Sequence, residues 1–318
     1  MALDLIDLDQ PLPGQREFIS CWLERRPGLT FIVDPGPCST AERLVAELRA
    51  RRVTRLDWIL LTHIHLDHAG GTAEVAAAFP EARIVCHENG RGHLVEPERL
   101  WEGSRTVLGG AAEVYGEPSP VPADRFAARA ELTGESFARA GITIIPTPGH
   151  APHHLCFCHD ATLFVGEAAG TFAALPDGGR YLRPATPPRF YPTVALDSLD
   201  RLLALTPSPA RLAFGHHGLA KGRTRELLND ARHQLERWLT VLRHERRQGG
   251  QLGDGAPGTL LARVQARLLA EDPHYARWAQ LPEDIREREL AFTRQSLTGM
   301  LGFLDGDEEG GARLIPPQ

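Results

Sequence analysis

Residues 62–71 read Thr-His-Ile-His-Leu-Asp-His-Ala-Gly-Gly, and the reading of this stretch decides the rest. Three histidines and one aspartate fall between positions 63 and 68. Neutral imidazole and carboxylate together suit zinc, iron or manganese. A histidine-rich surface loop is the plain alternative. Such loops seldom follow a buried strand so directly, and Leu56 to Leu61, with Trp58 and Ile59, reads as one. On an extended strand end His63 and His65, two apart, point the same way, and Asp67 continues that face. His68 then points elsewhere, toward a second centre. Gly70 and Gly71 allow a tight turn into a helix over Thr72 to Phe79.

The run matches the pattern Thr-His-x-His-x-Asp-His, and by it the chain resembles the metallo-β-lactamase superfamily. Three later segments resemble that family's remaining ligand positions: Ile-Ile-Pro-Thr-Pro-Gly-His at 144–150, Leu-Phe-Val-Gly-Glu-Ala-Ala-Gly at 163–170, and Leu-Ala-Phe-Gly-His-His-Gly at 212–218. Order and spacing agree from about residue 18 to residue 220. The resemblance implies His63, His65 and His150 around one metal, Asp67, His68 and His216 around a second, and Glu167 between them. One position departs from the pattern, because the family usually has aspartate where this chain has Glu167. The extra methylene carries the carboxylate about 1.5 Å further. Glu167 therefore bridges with a shifted loop, binds one metal only, or stands behind the ligands.

The fold implied is α/β, a four-layer αβ/βα sandwich with an appended C-terminal helical region. Strands are expected at 18–23, 30–33, 56–61, 82–86, 142–146, 154–158, 162–166 and 211–214, with helices at 41–51 and 195–205. Ser39 or Thr40 can cap the first of these helices. Residues 87–133, with prolines at 97, 118, 120 and 122, read as an irregular insertion with one helix near 103–115. The expected domains are a catalytic domain over 1–220, a helical cap or dimerisation region over 221–304, and a frayed tail over 305–318. Within the helical region, 224–247, 259–270 and 283–303 have helical periodicity, and 248–258 is a Gly-rich break.

Other candidates surround this ligand set. His154, four residues after His150, is positioned as in glyoxalase II relatives and is read as a support behind the metal, with His153 a weaker candidate. His217 follows a ligand directly and so points away from that metal, where it can donate to substrate; Asp67 can orient the nucleophile. His87 and His93 follow a strand end and can line the pocket. Arg183 and Tyr181 lie in a loop segment that can reach a substrate carboxylate or phosphate, with the opposing reading that Arg180 and Arg183 are surface residues. Tyr191 and Tyr115 are comparable candidates, while His159, His233, His244 and His274 read as surface residues.

Composition narrows the function. With 42% hydrophobic and 24% charged residues the chain reads as an ordinary soluble enzyme. Its acidic start lacks the character of a signal peptide, and no apolar run reaches membrane-spanning length, so a cytoplasmic protein is expected. Five scattered cysteines argue against a disulfide framework, and Cys156 and Cys158 read as packing thiols. A net charge of −6 argues against nucleic acid as partner. Lys221 to Arg247 carries eight basic against four acidic residues, but these interleave with a helical apolar stripe and form a solvated face.

The expectation is thus a hydrolase with two divalent ions, zinc first and iron or manganese as alternatives. A metal-bridging hydroxide would act on a small ester, thioester, lactone or phosphoester. No membrane or nucleic-acid partner is expected, and the C-terminal helices can form a homodimer. A mononuclear iron thiol or persulfide dioxygenase and a metal-stabilised ligand sensor are the competing readings.

Overall fold

A computed structural model describes residues 2–188, 190–250, 252–253 and 256–309. Its strands are β1 (Ala2–Asp7), β2 (Ser20–Arg26), β3 (Leu29–Val33), β4 (Trp58–Leu60), β5 (Arg83–Val85), β6 (Ile142–Pro146), β7 (Leu155–His159), β8 (Thr162–Gly166), β9 (Thr171–Ala174), β10 (Arg180–Arg183), β11 (Arg211–Phe214) and β12 (Leu219–Lys221). Its helices are α1 (Ala41–Ala50), α2 (Leu66–Ala69), α3 (Thr72–Ala78), α4 (Glu88–Val95), α5 (Glu98–Leu108), α6 (Gly110–Tyr115), α7 (Arg129–Leu132), α8 (Glu135–Ala140), α9 (Pro192–Leu203), α10 (Thr224–Arg247), α11 (Leu260–Glu271) and α12 (Glu283–Glu309). They fall into two compact units. The first comprises Met1–Pro146, His153–Gly166 and Pro209–Lys221; the second comprises Thr147–Pro152, Glu167–Ser208 and Gly222–Gln318.

The first unit is built on two five-stranded sheets, ordered β1-β2-β3-β4-β5 and β12-β11-β8-β7-β6. Strands β3, β4 and β5 run parallel, as do β8 and β11, and the other pairs are antiparallel. All three residues of β4 are buried, as an interior parallel strand requires. Phe31, Trp58 and Leu60 of one sheet share a core with Phe157, Phe164 and Ala213 of the other. Phe31 meets Phe164 edge-on at 5.8 Å between centroids. Burying each of the phenylalanines and Leu60 among them contributes about 1.5–3 kcal/mol.

Several elements differ from expectation. The acidic start forms β1, paired antiparallel with β2, because Leu3 and Leu5 pack on the sheet core. The stretch read as irregular is largely helical up to Tyr115, with α4, α5 and α6 in succession. Pro97 stands at the N-cap of α5, where its missing N–H costs nothing, so it starts a helix instead of breaking one. Thr40 is the N-cap of α1, but its hydroxyl donates to the Pro37 carbonyl at 3.2 Å and does not cap the helix.

The second unit holds the β9–β10 hairpin and helices α9 to α12. The hairpin strands and β12 lie outside the expected strands. Helix α10 spans the residues expected, burying Leu228, Ala231, Leu235, Trp238 and Leu242 on one face. Helix α12 runs on to Glu309, and residues 310–318, most of the expected tail, lie outside the described residues. Among the described residues no helix is long and apolar enough to cross a membrane.

Candidate metal centre

Strand β4 delivers the first donors, but the chain does not stay extended. The His68 and Ala69 amides bond back to the His65 carbonyl at 3.0 and 2.9 Å, winding residues 66–69 into the short helix α2. Asp67 and His68 therefore sit on a helical turn, which corrects the expectation of a continuous strand face. The turn brings Asp67 Oδ2 within 3.5 Å of His68 Nε2, and it lies 3.7 Å from His216 Nε2. These three donors lie within 4.8 Å of one another. The rings of His63 and His65 stand 4.5 Å apart, and that of His63 lies 4.2 Å from His68. Gly70 is needed for a different reason from the turn expected. Its conformation is right-handed, but a Cβ there would stand 2.5 Å from the Leu66 carbonyl oxygen and 3.1 Å from the Cys38 nitrogen.

Asp34 orients these donors, and sequence reasoning assigned it no role. It follows β3 with φ of 56°, a left-handed conformation that aspartate tolerates better than most residues. Its buried carboxylate accepts from the Thr62 amide (2.8 Å), the Thr62 hydroxyl (2.7 Å) and His68 Nδ1 (3.0 Å). Since Thr62 spends its one hydroxyl proton on Asp34, its oxygen accepts from His63 Nδ1 at 3.0 Å. Both imidazoles are thereby assigned the tautomer with hydrogen on Nδ1. Nε2 carries the lone pair a metal requires, and this relay is the arrangement that orients histidine ligands. The one available signal was the Asp34-Pro35-Gly36 turn at a strand end beside the motif strand.

His216 follows β11 and stacks on Phe18, with centroids 4.0 Å apart and planes 2° from parallel. His154 is fully buried, its ring 5.3 Å from that of His63. Gly166 leaves room for it: with φ of 54°, a Cβ at this position would stand 2.5 Å from His154 Nε2. The ring of His153 lies 6.2 Å from that of His65. His217 is about one-third exposed, with Nδ1 3.9 Å from Asp7 Oδ2. Burial and neighbouring Asp9 push the Asp7 carboxyl up to about 6.

In the second unit His150 Nδ1 donates to the Ala185 carbonyl at 3.1 Å. A neutral ring then presents its Nε2 lone pair to Glu167 Oε2, 2.9 Å away. Lone pair against carboxylate is favourable only with a proton or a cation between them. The composition of these donor groups suits divalent ions, and the hydrogen bonds at Nδ1 of His63, His68 and His150 leave Nε2 as their donor atom.

Arg183 and Tyr181 are corrected. Both are buried rather than on the surface, with their polar groups turned to partners inside the second unit. Arg183 donates to Glu289 (2.8 Å), the Pro184 carbonyl (3.0 Å) and Ser296 (3.1 Å), and Tyr181 donates to Glu289 at 3.1 Å. Burial opposes ionisation of Glu289, but Arg183 and Arg288 more than offset it and hold its carboxyl below the usual range. A guanidinium so committed has its fork filled. His159 is also buried rather than on the surface, edge-on to Phe31 at 5.1 Å, and burial pushes its imidazole down to about 4. His87 caps α4 by accepting from the Asn89 amide at 3.1 Å, and His93 is exposed on the same helix. Tyr115 is buried with its hydroxyl 3.4 Å from Gln15, and Tyr191 is the N-cap residue of α9. All five cysteines are free thiols, and burial raises Cys86 to about 12, in keeping with a packing role.

With fold and donors in view, similarity to known proteins is specific. The sequence profile of the Metallo-beta-lactamase superfamily matches residues 14–216, and the chain belongs to that superfamily. A metallo-beta-lactamase fold-containing protein of Sulfurisphaera tokodaii is 31% identical over 205 residues, covering 62% of this chain and 72% of that protein. A hydroxyacylglutathione hydrolase of Aeromonas hydrophila is 24% identical over 270 residues, covering 83% and 89%. A solved metallo-beta-lactamase family protein of Thermus thermophilus superposes with a TM-score of 0.59 at 20% identity, covering 96% of this chain and 94% of that one, and so shares the fold.

Proposed function

We propose that the protein is a metal-dependent hydrolase of small carboxylic esters or thioesters, with lactones and phosphoesters as the wider class. The observation that carries this reading is the Asp67, His68 and His216 donor group with its histidine tautomer held by Asp34. His63, His65 and His150 would hold one divalent ion, Asp67, His68 and His216 a second, and Glu167 would bridge them, with zinc as the metal. A hydrolase-named relative aligned over 83% of the chain supports a thioester substrate.

Bound divalent ions would supply an acidified water and a Lewis acid for the substrate oxygen. The chain's own residues do the rest. Asp34 and Thr62 keep the ligand lone pairs aimed, so no reorganisation is needed during the reaction. Asp67, an acceptor-only carboxylate beside two imidazoles, can orient the attacking water through its proton. His217 stands next in sequence to a ligand and is partly exposed, so it can donate to the anion formed on attack.

The test is a panel of acyl thioesters, esters, lactones and phosphoesters, assayed with native protein, chelator-treated protein and protein reloaded with zinc. Thioester or ester turnover lost on chelation and restored by zinc is expected. Turnover indifferent to chelation would remove the metal from the reading. The His150–Glu167 contact of 2.9 Å also suits two ligands of one ion, which keeps a mononuclear iron dioxygenase as the second reading. Thiol-dependent oxygen uptake would select it.

A further inference from the structure

The second unit holds a buried polar network that the proposed chemistry leaves unused. Residues 183–187 are tied to helix α12 along their length. Arg183 donates to Glu289 and Ser296, and the Ser296 hydroxyl donates to the Pro184 carbonyl at 2.9 Å. The Thr186 hydroxyl donates to the Ser296 carbonyl at 2.7 Å. Gly299 lets the helix backbone come this close, since a Cβ there would stand 2.2 Å from the Thr186 carbonyl oxygen and 2.4 Å from that of Pro187. Between these anchors lies Ala185, whose carbonyl accepts from His150 Nδ1 at 3.1 Å. The same segment reaches the loop carrying Glu167. A Cβ at Gly170 would stand 2.3 Å from the Arg183 carbonyl oxygen, and the Gly170 amide bonds to the Glu167 carbonyl at 2.9 Å.

We infer that α12 is an arm of the metal centre. Through Ser296 and Glu289 it fixes residues 183–187, and through the Ala185 carbonyl that segment fixes the tautomer and orientation of His150. Ser296 and Thr186 are positioning residues. The inference rests on the proposed role of His150 as a ligand and gives the C-terminal helix a task other than covering the site or forming a dimer. Among the described residues five hydrogen bonds join this segment to α12, and the residues that make them are buried. Such a network holds geometry because each lost partner leaves a desolvated polar group.

The experiment is zinc affinity of the full chain, measured by competition with a chromogenic chelator, for wild type, Ser296→Ala, Thr186→Val and Thr293→Val. Thr293 is the control: it lies on the same helix, and its hydroxyl faces the Tyr275 hydroxyl at 3.2 Å. Zinc binding about tenfold weaker in Ser296→Ala and Thr186→Val is expected, the lower end of what outer-shell substitutions cost. Thr293→Val should bind as wild type does, even where its melting temperature falls. Cobalt-loaded Ser296→Ala should also show a changed visible spectrum. Unchanged affinity in Ser296→Ala and Thr186→Val would overturn the inference. So would equal weakening in all three variants, which would mean the helix acts only through general stability. Should Ser296→Ala fail to fold, Thr186→Val, nearly the same shape as threonine, decides alone. Wild type that binds no zinc would instead sink the metal reading beneath it.

Discussion

Replacing Asp34 separates holding the fold from preparing the proposed metal ligands. Its carboxylate accepts three hydrogen bonds, two from Thr62 and one from His68 Nδ1, at 2.7–3.0 Å. Asp34→Ala leaves all three buried donors to find other partners, and alanine must also adopt φ of 56°. The cost is about 3–5 kcal/mol for the bonds and about 1 kcal/mol for the backbone. Asp34→Asn is milder for the fold, since asparagine tolerates that conformation and keeps an oxygen for the Thr62 amide. A donating amide in place of Oδ2, however, turns the Thr62 hydroxyl proton toward His63 Nδ1 and requires His68 Nδ1 to accept. The proton moves to Nε2, and the ring can no longer ligate through that atom. Zinc should therefore bind about 10–100-fold more weakly in Asp34→Asn at the site of Asp67, His68 and His216. Chelator competition measures the affinities, and urea unfolding of the metal-free proteins measures the stabilities. Asp34→Asn binding zinc as wild type does would refute the tautomer argument.

Glu167→Ala should lower the number of ions retained per chain, with Glu167→Asp recovering part of the loss; two ions held at unchanged affinity would exclude a bridging role. Glu289→Ala leaves Arg183 buried against an empty site and should cost about 3–5 kcal/mol in urea unfolding; a loss below about 1 kcal/mol would mean the network contributes little. His159 has a folded pKa of about 4, below its ordinary 6.5, so the unfolded chain binds more protons between those values. Its stability contribution is complete above pH 6.5 and is lost as pH falls toward 4, by up to about 3 kcal/mol. Metal-free His159→Gln should lose that part of the slope, and a slope identical to wild type would contradict the assignment.

How much was legible depended on the range of the interaction. The motif at 62–71 and the long stripe of α10 are local patterns, so family, fold and most of the clustered donor residues could be read from the sequence. The α2 turn was missed because three donors at alternate positions fit a strand as well as a helical turn. Asp34 lies 28 residues from Thr62 and 34 from His68, a pairing created by the β3–β4 register. Arg183 looked like a surface or substrate residue because its partner, Glu289, is 106 positions away. His159 looked exposed because one histidine at the end of a strand gives no sign of the facing sheet that buries it.

A two-metal hydrolytic site is tested by elemental analysis of protein expressed with zinc, iron and manganese all present. About two ions per chain are predicted, falling when His68 or His216 is replaced by alanine. A single iron per chain, unchanged by either replacement, would rule out the two-metal site.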